Sequence, residues 1–212
     1  MYEEERKILV EKLIHDGYIK TDKVKEAFLK VQRHEFLPDF LKQRAYYDTP
    51  LEIGFGQTIS APHMVAIMCE ALDIKKGQKI LEIGSGSGYH AAVVSSLVGE
   101  KGHIYTVERI EELGKTAEKN LKKGGYKNTS IIIGDGSEGL TKYQPYDRMY
   151  VTCASPKVPQ PLLDQLKEGG KLLIPVGKMY CDLKLIEKTK KEIITTNLGG
   201  CVFVPLVGKY GF

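Results

Sequence analysis

The sequence predicts an α/β fold: a doubly wound, Rossmann-like, mostly parallel sheet with an N-terminal helical extension and antiparallel C-terminal strands. Three observations predict it. Short apolar segments alternate with helical segments through the middle of the chain, which is typical of a parallel sheet covered on both faces. A glycine-rich turn joins the first of these strands to a helix. Near the C-terminus, two β-prone segments with no helix between them predict an antiparallel hairpin.

The N-terminal region, residues 1–62, predicts two helices and then a long irregular segment. A helix is predicted for residues 3–16, and Thr21 can cap a second helix. Apolar residues repeat at helical spacing in both, namely Val10, Leu13, Ile14 and Gly17 in the first and Val24, Ala27, Phe28 and Val31 in the second. Residues 36–62 contain three prolines and no lasting period. Such a segment in a compact domain is functional or disordered, and its many aromatic and apolar residues argue against disorder.

Residues 63–180 predict the alternating core, and residues 181–212 predict the C-terminal strands. The predicted core strands are 79–83, 103–108, 130–134, 148–152 and 171–175, and the predicted helices are 63–72, 89–98, 110–123 and 161–166. Two further strands, 183–189 and 192–204, are joined at Lys190 and Lys191, and Pro205 ends the sheet. We expect these regions to form one domain over residues 1–212.

Composition and charge favour a cytoplasmic enzyme. The chain of 212 residues has no apolar run long enough to span a bilayer, and residues 3–7, EEERK, are unlike a signal peptide. The net charge of +4 is spread along the helices and forms no basic stripe. We therefore expect a cytoplasmic monomer that binds neither nucleic acid nor a membrane.

Neither the cysteines nor the histidines predict a metal site. The four cysteines are far apart and none forms a C-x-x-C pair: Cys69, Cys153, Cys181 and Cys201. We interpret them as small buried hydrophobic residues. His63 and His90 are also distant in sequence and have no third ligand near them, which favours structural or cofactor-edge roles.

The glycine-rich turn predicts a cofactor site. Residues 84–88, GSGSG, let bare backbone approach a ligand, since glycine adopts positive φ without strain. A dinucleotide fingerprint would need glycine at position 89, where the chain has Tyr89. The pattern G-x-G-x-G after an acidic strand instead resembles the class I methyltransferases that use S-adenosylmethionine. That resemblance implies that Glu108 accepts the ribose hydroxyls. It also implies that the amino-acid end of the cofactor is held by Gly84, Ser85, Gly86 and Gly88.

Acidic residues near the turn have alternative interpretations. Glu82 is either a solvent-facing residue or a buried carboxylate that needs a cation or hydrogen-bond donors, and the ammonium or sulfonium side of the cofactor would be such a partner. Asp135 and Gly136 follow the third strand, where an adenine amino group could be read. An aspartate at such a place is also common as a cap or turn residue. All three residues are candidates for cofactor binding.

A second motif predicts the reaction. The run GQTISAPHM at 56–64, preceded by AYYDTPLEIGF, resembles the protein L-isoaspartyl O-methyltransferases, which act on damaged aspartyl and asparaginyl sites in other proteins. The resemblance continues through LEIGSGSGYHAA, through residues 146–177 and to FVPLVGKYGF at 203–212. It implies methyl transfer from S-adenosylmethionine, with S-adenosyl-L-homocysteine as product, to the free α-carboxylate of L-isoaspartyl and, by extension, D-aspartyl residues. The ester can revert through a succinimide, which makes the protein a repair enzyme.

The same resemblance assigns roles to individual residues. Ser60 is implied to be catalytic and to contact both cofactor and substrate. From the residues alone, a serine before Ala61 and Pro62 is more often an N-cap for the helix at His63. Further cofactor contacts are implied at Gln57, Thr58, Ile59 and His63. Backbone contacts with the substrate are implied at Val204, Leu206 and Val207, although some family members carry threonine where this chain has Val207.

Two alternatives remain open. A class I methyltransferase for RNA or a small molecule would share the glycine turn and Glu108. An RNA-binding stripe or an N/D-P-P-Y motif would favour it, but the chain has TCASP after the fourth predicted strand. A non-enzymatic nucleotide-binding module would bind the cofactor without turnover, and replacement of Ser60 would distinguish it from the repair enzyme.

Overall fold

The computed structural model describes residues 2–212; Met1, which belongs to the predicted N-terminal region, lies outside the described residues. The helices are α1 (Tyr2–His15), α2 (Asp22–Lys30), α3 (Pro62–Leu72), α4 (Tyr89–Val98), α5 (Glu111–Lys123) and α6 (Gln160–Gln165). The strands are β1 (Leu51–Gly54), β2 (Gln57–Ile59), β3 (Lys79–Ile83), β4 (His103–Glu108), β5 (Thr129–Ile133), β6 (Tyr146–Val151), β7 (Leu166–Gly177), β8 (Cys181–Lys188) and β9 (Ile193–Cys201). Short 3-10 helices cover Arg33–Phe36, Asp39–Arg44, Gly136–Glu138 and Thr141–Tyr143.

A seven-stranded sheet with the order β5-β4-β3-β6-β7-β8-β9 forms the centre of the molecule. Strands β3 to β7 are parallel to one another, and β8 and β9 are antiparallel to their neighbours. The predicted fold class is therefore confirmed. The strand order reverses between β3 and β6, and doubly wound sheets bind ligands at the carboxyl ends of the strands beside such a reversal.

Strands β3 and β4 and helix α4 have the bounds that the sequence predicted, and most other core elements differ by at most two residues at either end. The exception is β7, which begins at Leu166 instead of Lys171 and ends at Gly177. Residues 167–170, KEGG, are largely exposed and lack the apolar pattern that predicts a buried strand. Helix α3 begins one residue earlier than predicted, at Pro62, because proline fits the first turn of a helix.

The N-terminal helices pack with α3 and α4 in the larger hydrophobic core, and the predicted stripe of α2 is buried. The predicted stripe of α1 was wrong at Ile14, which is 38% exposed. The buried residues of α1 are Leu9, Val10 and Leu13. Gly17 lies beyond the helix, where its φ of 76° favours glycine and helps to end the helix. Thr21 precedes α2 without capping it, and its hydroxyl donates to the carboxylate of Glu70 instead.

The segment 36–62 has more structure than its sequence pattern predicted. Strands β1 and β2 form a hairpin, and Gly54, Phe55 and Gly56 at its tip all have positive φ. The hairpin packs against the glycine turn, since a Cβ placed on Gly86 would lie 3.2 Å from Cδ1 of Ile53. This segment therefore covers the predicted cofactor site.

The two C-terminal strands form the predicted antiparallel hairpin, but β9 ends at Cys201, three residues earlier than predicted. The tail then returns to the carboxyl end of β6. The N–H of Ala154 donates to the carbonyl oxygen of Val204, and the N–H of Leu206 donates to the carbonyl oxygen of Ala154, both at 2.7 Å. These bonds bring the tail to the edge of the sheet where the glycine turn lies.

All four cysteines are buried and free, as predicted. Within residues 2–212, no group of three or more His, Cys, Asp or Glu side chains is arranged to hold a metal ion. None of the helices in the described part of the chain is long and apolar enough to cross a membrane.

Candidate active site

A cleft at the carboxyl ends of β3, β4 and β6 brings together most of the predicted site residues. The glycine turn, the β1–β2 hairpin and the C-terminal tail surround it. The predicted residues that line it are Gln57, Thr58, Ile59, Ser60, Glu82, Gly84, Ser85, Gly86, Glu108, Gly136, Val204, Leu206 and Val207. His63, Gly88 and Asp135 were predicted to contact the cofactor but do not line the cleft.

A wider cleft of about 1110 Å³ lies near the amino ends of β4 and β5. Several of its polar side chains bond to other protein groups. The amide of Asn128 donates to the carbonyl oxygen of Gly99 at 2.9 Å, and Lys123 forms an ion pair with Glu35. A ring nitrogen of His103 lies 2.9 Å from the hydroxyl of a serine on β5. Because these groups are already paired, we place the functional site in the cleft at the glycine turn.

The glycine turn has a backbone that other residues rarely adopt. Gly84, Gly86 and Gly88 have φ angles of 91°, 50° and 87°. The hydroxyl of Thr152, just after β6, donates to the carbonyl oxygens of Ile83 at 3.0 Å and Gly84 at 2.7 Å. A Cβ on Gly84 would overlap with that hydroxyl oxygen. The turn therefore offers bare backbone to a ligand and has no room for a side chain at its first position.

We expect Gly84→Ala to lower the free energy of unfolding by about 1–3 kcal/mol and to weaken cofactor binding. The added methyl group would meet both an unfavourable φ and the Thr152 hydroxyl. Gly134→Ala is the matched control, because an added Cβ there has no atom within 4 Å and φ is not in the left-handed region. Thermal denaturation and calorimetric titration with S-adenosyl-L-homocysteine measure the two effects. Equal effects of the two substitutions would contradict this role of Gly84.

Two other predicted glycines act through packing. Gly88 begins α4 behind the turn, where an added Cβ would lie 3.2 Å from the carbonyl oxygen of Ala117 and from Cγ of Leu121. Gly136 lines the cleft, and an added Cβ there would overlap with Cγ2 of Ile83. The first glycine lets α4 and α5 approach, and the second lets the segment after β5 pack against Ile83 of β3.

Glu108, at the end of β4, holds the turn and faces the cleft. Its side chain is buried, and Oε2 accepts a hydrogen bond from the N–H of Gly86 at 3.0 Å. Its other oxygen, Oε1, accepts from the N–H of Ile110, also at 3.0 Å. The hydroxyl of Ser85 also donates to Oε2, in a longer bond of 3.5 Å. Of the about four acceptor positions of a carboxylate, one on Oε1 is therefore free, and a closer donor could take the position that Ser85 occupies on Oε2. Glu108 can therefore accept a ribose diol while it holds the turn.

Glu82 is fully buried, and neither of its carboxyl oxygens has a hydrogen-bond partner among the described residues. It lies on β3 between Thr106 of β4 and Tyr150 of β6. Burial raises the pKa of Glu82 to about 8, and the two neighbouring hydroxyls only partly offset this effect. The solvent-facing interpretation of Glu82 is therefore wrong. A buried, unpaired carboxyl that lines the cleft fits a cationic group of a ligand.

The raised pKa of Glu82 predicts a dependence of stability on pH. The carboxyl ionises in the unfolded chain near its ordinary pKa of 4.5, but stays protonated in the folded protein up to about 8. The folded state therefore binds one more proton between these values, and this group lowers the free energy of unfolding by roughly 1.4 kcal/mol per unit rise in pH. We expect Glu82→Gln to become more stable relative to the unsubstituted protein as pH rises from about 5 to about 8. Urea denaturation at several pH values measures this, and a constant difference would contradict it.

Ser60 lies between β2 and α3, is half-buried and lines the cleft. The N-cap interpretation of Ser60 was wrong, because Ala61 occupies the N-cap position and no side chain at that position caps the helix. The N–H of His63 instead donates to Oδ1 of Asp48 at 2.9 Å. The hydroxyl of Ser60 is therefore not engaged in the helix cap.

The two other predicted cofactor residues outside the cleft are bonded to the protein. Nδ1 of His63 lies 2.9 Å from Oδ1 of Asp48. Asp135 accepts hydrogen bonds from the backbone N–H groups of Ser137 and Lys209, both at 2.8 Å. It caps a short 3-10 helix and anchors the tail, so the structure supports the cap interpretation of Asp135. Neither residue lines the cleft, and the cofactor contacts of both stay predictions.

The tail residues face the cleft in different ways. The carbonyl oxygen of Val204 accepts from Ala154, and the N–H of Leu206 donates to the same residue. The carbonyl oxygen of Leu206 accepts from the N–H of Phe212 at 2.8 Å. Both backbone groups of Leu206 are thus already bonded within the protein, so pairing of its backbone with a substrate stays a prediction, one that would use the second lone pair of its carbonyl oxygen. Val207 is 41% exposed at the rim of the cleft.

The lining also includes residues to which the sequence had given no site role. Among them are Val65, Tyr89, Arg109, Ile110, Cys153 and Pro205; His90, for which the sequence favoured a structural or cofactor-edge role, lines the cleft as well. Several of them adjoin the turn or Glu108 in sequence, and this adjacency is the signal that could have found them. Burial lowers the pKa of His90 to about 3, so its imidazole is neutral at neutral pH. Its ring lies 4.3 Å from that of Tyr150, in the floor beneath the cleft.

These groups fit a zwitterionic nucleoside cofactor. The glycine turn lines the cleft with bare backbone, Glu82 is a buried carboxyl without a partner, and Glu108 can accept a ribose diol. Combined with a parallel sheet whose order reverses beside the cleft, they define a class I methyltransferase that uses S-adenosylmethionine.

The chain belongs to the protein-L-isoaspartate(D-aspartate) O-methyltransferase family, whose family model matches residues 4–211. A protein-L-isoaspartate O-methyltransferase of Methanopyrus kandleri is 56% identical over 210 residues, which cover 98% of this chain and 93% of the relative. The enzyme of the same name from Methanothermobacter thermautotrophicus is 52% identical over 212 residues, with 99% and 98% covered. The family resemblance inferred from the sequence is confirmed.

Solved structures agree with this assignment. A protein-L-isoaspartate O-methyltransferase superposes with a TM-score of 0.89 at 31% identity, over 97% of this chain and 67% of the other. A structure from Plasmodium falciparum, assigned to the same enzyme and complexed with S-adenosyl-L-homocysteine, gives a TM-score of 0.86 at 29% identity, over 95% and 98% of the two chains. A Thermotoga maritima O-methyltransferase, with a TM-score of 0.53 at 21% identity over 75% of this chain and 66% of the other, shares the fold.

Proposed function

We propose that this protein transfers the methyl group of S-adenosylmethionine to the free α-carboxylate of L-isoaspartyl residues, and of D-aspartyl residues, in damaged proteins and peptides. The observation that carries the proposal is the placement of Ser60. Ser60 lines the same cleft as the glycine turn and Glu108, and the N–H of His63, which a capping serine would bond, donates to Asp48 instead. The cleft thus combines a cofactor side with a hydroxyl available to an acceptor.

The acceptor itself needs no strong base. An α-carboxyl has an ordinary pKa of about 3.5 and is ionised at neutral pH. The protein must therefore remove water from the carboxylate and align it, because an exposed anion is well solvated and poorly oriented. The cofactor, when bound, supplies an electrophilic methyl group on its sulfonium sulfur. Ser60 is suited to donate one hydrogen bond to a carboxylate oxygen, and a lysine would hold that oxygen too tightly.

The other lining residues serve the two sides of the cleft. Glu82, the glycine turn and Glu108 hold the cofactor from the sheet side. Gln57, Thr58 and Ile59 cover it from the hairpin, and the tail from Val204 to Val207 forms the side towards the peptide. The neutral imidazole of His90 lies in the floor and is too weak a base to take part in proton transfer at neutral pH.

Activity on RNA or on a small molecule is not favoured. Both would require the same glycine turn and Glu108, but family membership extends over residues 4–211 and includes the run that carries Ser60. A non-enzymatic binding module would have no use for a serine hydroxyl left free beside the cofactor.

Conversion of a damaged peptide tests the repair function. A synthetic peptide with one L-isoaspartyl residue should be converted progressively into its normal aspartyl form when it is incubated with the protein and S-adenosylmethionine. The reason is that the methyl ester closes to a succinimide, which opens to either form. Reversed-phase chromatography separates the two peptides, and omission of S-adenosylmethionine is the control. Bound cofactor without any conversion would contradict the proposal.

We also propose that the protein acts on damaged proteins as a cytoplasmic monomer, without nucleic-acid or membrane partners. The support is the spread of Lys and Arg among acidic residues. A single domain with regions 1–62, 63–180 and 181–212 is part of the same proposal, since the tail bonds to Ala154 beside the core sheet. Light scattering after size-exclusion chromatography measures the oligomeric state, and a stable dimer would contradict the monomer.

A further inference from the structure

The N–H of His63 has two potential acceptors in this fold. Ser60 precedes His63 by three residues, so its side chain would be the N-cap that bonds this N–H if the helix began at Ala61, one residue earlier than its observed start at Pro62. In the structure that N–H donates to Oδ1 of Asp48 at 2.9 Å. Asp48 lies 15 residues away from His63 along the chain and is not part of the helix. An acceptor from a distant turn thus occupies the place that Ser60 would otherwise take.

We propose that Asp48 is a positioning residue that keeps Ser60 out of the helix cap and so leaves its hydroxyl available to the methyl acceptor. This inference rests on the proposed function for the role of Ser60. The competition favours Asp48 because a carboxylate forms a charge-assisted hydrogen bond with an N–H and is stabilised at the positive end of a helix. A neutral hydroxyl has only the weaker bond.

Asp48 is suited to this role because its turn is held rigidly. Nε of the buried Arg33 donates to the carbonyl oxygen of Ala45 at 2.9 Å, and Nη2 donates to that of Thr49 at 3.4 Å. The same guanidinium lies 4.9 Å from the ring of Tyr89, which directly follows the glycine turn. Arg33 thus links the turn that carries Asp48 to the helix that carries the cofactor site.

The contact with the ring of His63 strengthens the placement of Asp48. Oδ1 of Asp48 lies 2.9 Å from Nδ1 of His63 as well as from its backbone nitrogen, and the carboxylate is largely buried. Two contacts from one residue restrict the carboxylate to a single arrangement at the start of α3. The helix cap is therefore satisfied without Ser60.

The first test is kinetic. In Asp48→Ala, Ser60 should turn to the free N–H of His63, and kcat should fall by about five- to tenfold. The reason is that a helix cap of ordinary strength would hold the Ser60 hydroxyl away from the methyl acceptor in all but about that fraction of the molecules. The KM for S-adenosylmethionine should stay unchanged. Asp48→Asn keeps an acceptor oxygen and should restore kcat to within about twofold. Asp39→Ala, an exposed aspartate of the same region, is the matched control and should leave kcat unchanged. Unchanged kcat in Asp48→Ala, or failure of Asp48→Asn to restore it, would overturn the proposal.

The second test compares the effect of Ser60→Ala on Tm in the unsubstituted protein and in the Asp48→Ala variant. Ser60→Ala should leave Tm nearly unchanged in the unsubstituted protein, where the hydroxyl does not cap. In the Asp48→Ala background the same substitution should lower Tm by about 2–4 °C, because it removes the replacement cap. An equal effect of Ser60→Ala in both backgrounds would overturn the proposal. This test needs no substrate, so its result stands apart from a failure of the proposed methyl transfer.

Discussion

Replacement of Ser60 by alanine is expected to lower kcat for methyl transfer to an isoaspartyl peptide by on the order of 10²-fold, the cost of removing one well-placed donor from a transition state. The hydroxyl is the donor that aligns the acceptor carboxylate in the cleft. Affinity for the cofactor should change by less than about threefold, because the backbone around Ser60 and the glycine turn remain. Steady-state rates and calorimetric titration with S-adenosyl-L-homocysteine measure the two quantities.

Ser60→Thr is the matched variant, since it keeps a hydroxyl and adds one methyl group. It should retain more activity than Ser60→Ala if the hydroxyl is what matters. Unchanged kcat in Ser60→Ala would show that this serine does not act on the acceptor. A loss of cofactor affinity equal to the loss of kcat would show that Ser60 acts on the cofactor instead.

Replacement of Glu108 is expected to have its effect on the cofactor. Glu108→Ala should weaken binding of S-adenosyl-L-homocysteine by on the order of 10²-fold or more, because two charge-assisted hydrogen bonds to the ribose are lost at about 1.5–3 kcal/mol each. The N–H groups of Gly86 and Ile110 would also lose their acceptor, so the turn would be less well held. Calorimetric titration measures the change in Kd.

Glu108→Gln keeps one acceptor oxygen, and its Kd for S-adenosyl-L-homocysteine should lie between those of the unsubstituted protein and Glu108→Ala. Glu112→Gln is the matched control, because Glu112 is an exposed acid in the first turn of the next helix. A change in Kd below about threefold for Glu108→Ala would contradict the ribose role. The kcat at saturating cofactor should be less affected than Kd, in contrast to the pattern expected for Ser60.

The cofactor side could be predicted because its determinants are local in sequence. The glycines of residues 84–88 and the strand before them are adjacent, and Glu108 ends the next strand, so a strand–turn–helix pattern places them together. The same reasoning applied to Glu82. A carboxylate inside an apolar strand is costly to bury, so it predicts a cation or hydrogen-bond donors nearby. Period and spacing place these residues together at one edge of the sheet, and the family resemblance implies what each of them binds.

The substrate side was less predictable because it depends on distant contacts. The pattern before α3 favoured Ser60 as a cap, and nothing local indicated that Asp48 would take the N–H of His63. Local sequence patterns could not predict the return of the tail to Ala154 either, because it depends on two backbone hydrogen bonds between segments that are about fifty residues apart. The sequence pattern could place Leu206 in the tail, but not show that its N–H was already used.

The same reason explains the smaller errors in the fold. Strand β7 begins at Leu166 because Leu166 pairs with Tyr146 of β6; regular pairing resumes at Lys171, and the polar residues 167–170, KEGG, lie in the irregularity between these two pairs. Ile14 repeats at helical spacing, yet the face of α1 that is buried is decided by α2 and not by α1 itself. Periodicity predicts that a helix has an apolar face, but tertiary packing decides where that face ends.

The proposed reaction is tested by initial rates of methyl transfer to two peptides that differ only in the linkage at one aspartyl residue. The isoaspartyl peptide presents a free α-carboxylate, and the normal peptide presents only a side-chain carboxylate at that position. We expect S-adenosylmethionine-dependent methylation of the isoaspartyl peptide and no detectable methylation of the normal one. Equal rates on both peptides, or no transfer to either while S-adenosyl-L-homocysteine still binds, would contradict the account.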